Sequence, residues 1–320
     1  MLKYDVAALG ELLIDFTQNG MSEQGNPVLE ANPGGAVCNV LAMLSGLGHK
    51  TAYIGKVGED GFGAQLEKAI KEVGIDSKGL RKDKCVHTTL AIVTNSENGD
   101  RDFSFYRNPG ADVNLSADEL DTDILENARI FHYGTLSMTA EPCRSATYKA
   151  IDIAKKSGAV LSFDPNLREP LWDSLDEAGE QTAYGLSKCD ILKISDNEIL
   201  WFTGKSDFDE AVSALREMYP NIKLLLLSLG ADGSRAYSGE NSAFVPAFRL
   251  QDTIETTGAG DTFFGSVLHF VLEKGLRNYT QDELCEMLTF ANAAAALITT
   301  RKGALRVMPD IKEIENLISR

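Results

Sequence analysis

The sequence is poor in cysteine, histidine and positive charge. Its 320 residues include five cysteines, an odd number scattered along the chain with no C-x-x-C pair. They are Cys38, Cys85, Cys143, Cys189 and Cys285. This pattern excludes a disulfide framework and a zinc ribbon, and it predicts a reducing, cytoplasmic location. The four histidines, at positions 49, 87, 132 and 269, are isolated in sequence, which favours packing or surface roles over metal ligation.

Long apolar runs are also missing. The longest uncharged, apolar-leaning stretches are 262–272 and 287–300, shorter than the roughly 18 residues that a membrane span needs. Charges at Lys3, Asp5 and Glu11 leave no apolar signal-peptide core near the start. We therefore expect no membrane association.

Negative charge is in excess, with 47 acidic against 31 basic residues and a formal net charge of −16. A surface of this sign repels nucleic-acid backbones and anionic membranes, so neither is expected as a partner. Taken alone, the argument extends to any polyanionic ligand. Net charge describes the surface far from a site, however, and backbone amides at a helix start can hold phosphates locally.

Helical and strand patterns alternate through most of the chain. Helices are predicted near 35–47, 62–73, 143–156, 174–186, 208–218, 259–273 and 280–299, and strands near 4–9, 51–57, 159–163, 190–194 and 222–228. The run Leu224 to Leu227 has no polar face, as in a strand that is covered on both sides. This alternation predicts an α/β fold with a mostly parallel sheet between helices.

Two stretches interrupt the alternation. Residues 18–33 are polar and contain glycine and proline, whereas 87–93 and 101–107 are strand-like and flank a turn with Asn98-Gly99. We predict a single domain over 1–320 with a small β-sheet lid formed by about 15–33 and 87–112.

The segment 255–266, ETTGAGDTFFGS, carries the most information about function. Small residues permit close approach of a ligand, and the N–H groups of a helix start form an anion site. Asp261 falls in the first helical turn. It is either a base aimed at that site or only a helix cap.

Two familiar nucleotide motifs are absent from the sequence. Gly204-Lys205-Ser206 resembles the end of a P-loop, but Ile199 stands where the first glycine is required, so we expect a helix C-cap there. No G-x-G-x-x-G follows the first strand, which argues against a nicotinamide-dependent dehydrogenase.

A second glycine pair, Gly34-Gly35, opens the first predicted helix, and Asn39 follows about one turn later. The Asn39 amide can both donate and accept hydrogen bonds, as a polyhydroxylated ligand requires. Asp15, after the first strand, could accept from two hydroxyls. Taken singly, Asn39 could equally be a satisfied buried polar group and Asp15 a turn residue.

Together these elements resemble the two signature regions of the ribokinase-like (PfkB) sugar kinases, and the similarity runs nearly end to end. The GGAVCN run at 34–39 resembles the first signature, and GAGD at 258–261 resembles the second. Within the family, the segments 105–112 and 164–172 are most similar to fructokinases. The resemblance implies a three-layer αβα, Rossmann-like sandwich and an ATP-dependent kinase that converts D-fructose to fructose 6-phosphate.

The resemblance also implies roles for individual residues. Asp261 is the general base, and the Gly258, Ala259 and Gly260 turn forms the anion hole with the first helical amides. Sugar contacts are implied for Asp15, Gly34, Gly35, Asn39, Phe103, Phe105, Arg107 and Arg168. Nucleotide contacts are implied for Ser195, Glu198, Ser228, Gly230, Gly233 and Asn292, with Glu198 binding Mg²⁺ through water. A homodimer through paired lids is implied as well.

Two departures from the family pattern leave roles open. Glu255 stands where the family usually has Asp near a monovalent-cation site, so dependence on such a cation is undecided. Ser195 replaces the Asn of the family's N-x-x-E motif, which leaves its part in organising Mg²⁺ undecided.

Two alternative functions remain. Arg107 and Arg168 would suit an acceptor with a carboxylate, so 2-keto-3-deoxygluconate, an aminoimidazole riboside or another furanose could replace fructose. A non-catalytic nucleotide- or sugar-binding module is disfavoured, because an inactive homologue has no reason to keep Asp261 within an intact Gly-Ala-Gly turn.

Overall fold

The computed structural model describes residues 2–95 and 101–320, with the backbone alone at 94–95 and 101–103. The strands are β1 (Tyr4–Leu9), β2 (Leu13–Met21), β3 (Pro27–Gly34), β4 (Thr51–Gly58), β5 (Asp76–Asp83), β6 (Leu90–Asn95), β7 (Arg101–Tyr106), β8 (Ala128–Gly134), β9 (Val160–Asp164), β10 (Ile191–Ser195), β11 (Leu224–Ser228), β12 (Ser234–Ser238) and β13 (Asn241–Val245). The helices are α1 (Ala36–Gly46), α2 (Gly61–Glu72), α3 (Thr122–Glu126), α4 (Cys143–Lys156), α5 (Leu175–Lys188), α6 (Asp196–Thr203), α7 (Phe208–Met218), α8 (Ala259–Lys274), α9 (Gln281–Ile298) and α10 (Ile311–Ile318). Every helix among these residues is too short or too polar to cross a bilayer.

A large sheet has the strand order β13-β12-β11-β10-β9-β8-β1-β4-β5. Seven neighbouring strands of this sheet pair in parallel, in the order β5-β4-β1-β8-β9-β10-β11. Strands β12 and β13 extend the sheet beyond β11 and pair antiparallel. Because the joining helices return each parallel strand to the same end, the strands' carboxyl ends meet at one edge of the sheet. That edge is where open α/β sheets place their ligands.

Helices cover both faces of this sheet, as the sequence predicts. One core packs α1, α2, α8 and α9 against the sheet, and the other packs α3 to α7 against the opposite face. In β1, Val6 and Ala8 point into the first core, while Ala7 and Leu9 point into the second. Alternate residues face opposite cores, so both faces need apolar side chains, and Val6 to Leu9 form a continuous apolar run.

A second sheet of four strands has the order β3-β2-β6-β7. Strand β2 leaves β1 after only three residues, and β3 ends where α1 begins, so the small sheet stands at the carboxyl edge of the large one. Strand β2 pairs antiparallel to β3 and parallel to β6. The predicted turn at Asn98-Gly99 lies outside the described residues.

Local signals fix several helix ends. Gly204 ends α6 in a left-handed conformation with φ 65°, so the Gly-Lys-Ser run is the predicted C-cap and not a P-loop. Asp60, Thr280 and Asp310 begin α2, α9 and α10 with side chains that accept from the third helical amide.

Candidate active site

A cavity of about 520 Å³ lies between the small sheet and the first turns of α1 and α8. The predicted site residues on its walls are Asp15, Gly35, Asn39, Phe105, Arg168, Gly258, Gly260 and Asp261. These residues come from five separate parts of the sequence. The two glycine-rich segments therefore meet at one cavity, as the motif pairing predicts.

The first turn of α8 is built around Gly258. Gly258 is the N-cap with φ 77°, and an added Cβ would lie 2.6 Å from Cβ of Ala304, so another residue would be strained there. The Ala259 amide donates to the Thr256 carbonyl at 3.2 Å. Gly260 and Asp261 supply the following first-turn amides, which have no helical carbonyl behind them. The turn itself therefore occupies the Ala259 amide, whereas the next two amides remain for a ligand.

Asp261, the third residue of α8, is part of a contact between helices, and α8 begins at Gly258 without a side-chain cap. Its Oδ2 accepts from Nδ2 of Asn39 at 2.8 Å. Burial raises the pKa of Asp261, while the Asn39 hydrogen bond and the charges of Lys193 and Arg168 act in the opposite direction. A carboxylate with a raised pKa is a better proton acceptor than an exposed one.

Asn39 also carries an unused acceptor. Its side chain is buried on the cavity wall, and within the described residues its Oδ1 has no hydrogen-bond partner. A buried amide oxygen without a partner is costly, so a ligand hydroxyl donating to it would be favourable.

Gly34 and Gly35 bring the small sheet close to the start of α1. A Cβ on Gly34 would lie 2.0 Å from Oδ2 of Asp15, and one on Gly35, whose φ is 132°, would lie 2.3 Å from the Glu11 carbonyl oxygen. Glu11 in turn accepts from the Ala36 amide at 2.6 Å. Both positions therefore require glycine, because atoms of Asp15 and Glu11 lie too close to leave room for a Cβ.

The cavity concentrates acidic groups. Burial raises the pKa of Glu11 to about 7, and burial together with the charges of Glu11 and Asp261 raises the pKa of Asp15 to about 7. Arg168 opposes the shift at Asp15. Such walls favour a neutral ligand rich in hydroxyl donors over an anionic one.

Lys193 is a cavity residue that is not among those predicted from the sequence. It is buried in β10, and its Nζ pairs with Oδ2 of Asp164 at 2.9 Å. A Cβ placed on Gly260 would lie 3.3 Å from Nζ, so the ammonium lies directly beside the first turn of α8. Burial lowers the pKa of Lys193, but Asp164, Glu198 and Asp261 raise it above its ordinary value overall. The available signal was one lysine within an otherwise apolar strand.

Arg107 lies apart from the cavity walls, in contrast to the predicted sugar contact. It is buried, and its Nε donates to Oδ2 of Asp112 at 2.8 Å. Its terminal nitrogens donate to the Leu136 carbonyl at 2.7 Å and to the Thr139 hydroxyl at 3.0 Å. Arg107 thus fixes Leu136, which does line the cavity. The side chain of Phe103 lies outside the described residues.

The predicted nucleotide residues follow the same edge of the sheet, outside the cavity walls. Ser195 and Ser228 are direct neighbours in the register of β10 and β11. Glu198 accepts from the Ser195 hydroxyl at 2.7 Å and from the Leu167 amide at 2.7 Å. Gly230 and Gly233 lie in the turn between β11 and β12.

Asn292 on α9 anchors the segment that follows β13. Its Oδ1 accepts from the Ser234 hydroxyl at 2.8 Å, and its Nδ2 donates to the Val245 carbonyl at 2.9 Å. Glu255 likewise accepts a hydrogen bond from the Gly303 amide at 2.9 Å, which holds the segment before α8 against the loop after α9.

The chain is similar to known fructokinases in sequence and in fold. A probable fructokinase of Arabidopsis thaliana is 42% identical over 306 residues, covering 95% of this chain and 92% of the relative. The fructokinase of Xylella fastidiosa with bound ATP superposes with a TM-score of 0.89 at 28% identity, covering 99% of this chain and 98% of the other. The fructokinase of Vibrio cholerae with fructose, ADP and calcium gives 0.88 at 28% identity, covering 98% and 99%.

The family model for pfkB family carbohydrate kinases matches residues 3–311. The match includes both glycine-rich segments and the strands that carry the rest of the cavity. This chain therefore belongs to the pfkB family of carbohydrate kinases.

Proposed function

We propose that the protein transfers the γ-phosphate of ATP to the primary hydroxyl of D-fructose, giving fructose 6-phosphate. The observation that carries this proposal is the meeting of Asp261, the α8 first turn and a polar cavity at one point. The similarity to fructokinases, one of them solved with fructose and ADP, supports fructose as the acceptor.

Asp261 is the proposed general base. Its carboxylate lies at the boundary between the cavity and the anion-binding turn, where an attacking hydroxyl and a phosphoryl group would meet. The oxygen that is bonded to Asn39 is held in place, which fixes the direction of the carboxylate. Phosphoryl transfer depends chiefly on such positioning.

The developing phosphoryl charge is met by amides and cations. The amides of Gly260 and Asp261 point out of the α8 start, and Lys193 and Arg168 place positive charge beside Asp261. In a dry site these groups would stabilise the transition state far more than in water. The net negative charge of the whole protein does not oppose ATP binding at this point.

A divalent cation is expected with ATP, and Glu198 is the residue proposed to bind it. Each Glu198 oxygen already accepts hydrogen bonds from the protein, so the carboxylate is fixed and suited to bind Mg²⁺ through water. The bound ion would neutralise charge on the phosphates. Ser228, Gly230, Gly233 and Asn292 would border the nucleotide on the same edge.

The small sheet is the proposed lid. Asp15 and Phe105 extend from β2 and β7 into the cavity, so movement of this sheet would open or close the sugar site. Closure would exclude water, which competes with the sugar for ATP. Exposed Met21, Val28 and Tyr106 on this sheet would suit a homodimer through paired lids, testable by sedimentation of the Met21→Glu variant.

The second candidate is the same reaction on a carboxylate-bearing acceptor, 2-keto-3-deoxygluconate. Arg168 on the cavity wall favours it, but Glu11 and Asp15 on the same wall oppose it. An ADP-release assay with fructose, ribose, 2-keto-3-deoxygluconate and aminoimidazole riboside separates these acceptors. Fructose should give the highest kcat/KM. Turnover of another acceptor without turnover of fructose would reject fructose as the substrate.

A further inference from the structure

Away from the active site, His49, His269 and Glu273 converge on one point. His49 lies between α1 and β4, whereas His269 and Glu273 are one turn apart on α8. One potential ligand atom from each residue lies within 4.8 Å of the others, and Nε2 of His49 is 2.7 Å from Nδ1 of His269. The two histidines are 220 positions apart, so their isolation in sequence concealed the pair.

A carboxylate lies behind His49. Oδ2 of Asp5, at the start of β1, is 3.9 Å from Nδ1 of His49, and Arg129 holds the other Asp5 oxygen at 3.1 Å. Metal-bound histidines commonly direct their second ring nitrogen toward a carboxylate, which fixes the tautomer and orients the ring. Asp5 would place Nε2 of His49 in the ligand position, facing His269.

We propose that His49 Nε2, His269 Nδ1 and the Glu273 carboxylate bind one divalent transition-metal ion of the zinc class. Two imidazoles and a carboxylate suit Zn²⁺ and its neighbours, whereas Mg²⁺ prefers oxygen ligands alone. In the metal-free chain the rings share a hydrogen bond. The ion would replace that proton, and the two nitrogens would separate to roughly 3.3 Å around a tetrahedral centre.

The position of the cluster gives it an entry path and a structural effect. A cavity of about 490 Å³ adjoins it, bordered by His269, Glu273 and Glu286. The cluster lies at the far end of α8 from Asp261 and joins that helix to the loop before β4. An ion there would link the carboxyl-terminal part of α8 to the loop that follows α1. The first turns of these two helices form the active site, so the ion would stabilise the folded chain without contacting the substrates.

The test is a Co²⁺ titration of the chelator-treated full chain, followed by displacement with Zn²⁺. We expect one Co²⁺ per chain, visible absorption without a thiolate charge-transfer band, and a melting temperature that rises with added Zn²⁺. His269→Ala and Glu273→Gln should lose the ion, and Asp5→Asn should weaken it by about 10- to 100-fold. His87→Ala is the matched control and should leave binding unchanged, because the His87 side chain is 92% exposed and lies outside the cluster.

Folding is checked on the metal-free proteins. Glu273 is exposed, so Glu273→Gln should melt near the wild type without metal and should keep its rate of ADP release. Loss of Co²⁺ binding in that variant supports the site even if His269→Ala unfolds. Absence of binding by the wild type, equal binding by Glu273→Gln, or a thiolate band from Cys85 or Cys285 would each overturn the proposal.

Discussion

Asn39 Nδ2 donates a hydrogen bond to Oδ2 of Asp261 at 2.8 Å, across 222 residues of sequence. The contact joins the first turns of α1 and α8, which carry the two glycine-rich segments. Gly265 lets these helices approach, because an added Cβ there would lie 2.8 Å from Cβ of Met43. Asn39 of the first glycine-rich segment therefore orients Asp261, the proposed base in the second.

Replacement of Asn39 by Ala should raise the pKa of Asp261, because the amide donor stabilises the charged carboxylate. The acidic limb of the kcat/KM profile should then move to higher pH, and kcat at neutral pH should fall about ten-fold. The measurement is a pH–rate series with fructose. Asn278→Ala, an exposed change, serves as the control. An unshifted acidic limb would separate Asn39 from the base.

Lys193→Met should lower kcat by about 100-fold, because the cation beside Gly260 is lost. It should also destabilise the fold by about 2–4 kcal/mol, since Asp164 is left buried without its partner. The double variant Lys193→Met, Asp164→Asn should recover much of the stability and little of the activity. Urea unfolding and ADP release measure the two effects separately. If the double variant regained activity, Lys193 would be structural only.

Asp15→Asn should change how stability depends on pH. The folded pKa of Asp15, about 7, lies above its ordinary value of 3.8, and Glu11 behaves in the same way. The folded state therefore binds extra protons between these values, and the unliganded protein loses stability as pH rises from about 4 to 7. Asp15→Asn should flatten this decline.

The gain for Asp15→Asn should be on the order of 1–3 kcal/mol at pH 8, where wild-type Asp15 is charged. Thermal melts of the two proteins at pH 5 and pH 8 provide the comparison. The same variant should raise the fructose KM. A wild-type and variant difference that does not change with pH would show that Asp15 does not titrate in this range.

Phe105→Ala should raise the KM for fructose more than the KM for ATP, because Phe105 lines the cavity from the small sheet. The loss of apolar contact should cost about 1–2 kcal/mol in sugar binding, or roughly ten-fold in KM. Ser104 is exposed in the same strand and is not assigned to any site, so Ser104→Ala is the control. Equal effects on both KM values would argue against a lid contact with the sugar.

Much of the fold follows from sequence pattern. Helices 143–156 and 208–218 have the predicted bounds, because each repeats apolar residues at helical spacing between clear end signals. Strand β5 was not predicted, since its sequence DSKGLRKD is polar and becomes a strand only by pairing with β4 at the sheet edge. Tertiary pairing, and not local propensity, forms that element.

Only the site residues that belong to sequence motifs could be predicted. Asp261, Asn39 and Gly258 stand in recognisable runs, and the cavity brings them together. Lys193 and Glu11 belong to neither glycine-rich run, and their place on the cavity wall depends on which strand ends adjoin. The resemblance implies that Arg107 contacts the sugar, but Asp112 pairs with its guanidinium, a contact that the sequence pattern alone does not reveal.

The most direct test of the account is the kcat of Asp261→Asn with ATP and fructose, measured together with ATP affinity. The amide keeps the shape of the carboxylate and can still contact Asn39, but it cannot accept the hydroxyl proton. We predict a loss in kcat on the order of 10³-fold or more, with ATP affinity within about three-fold of the wild type. Asp152→Asn, an exposed change on α4, should leave both unchanged. A near wild-type kcat in Asp261→Asn would contradict the account.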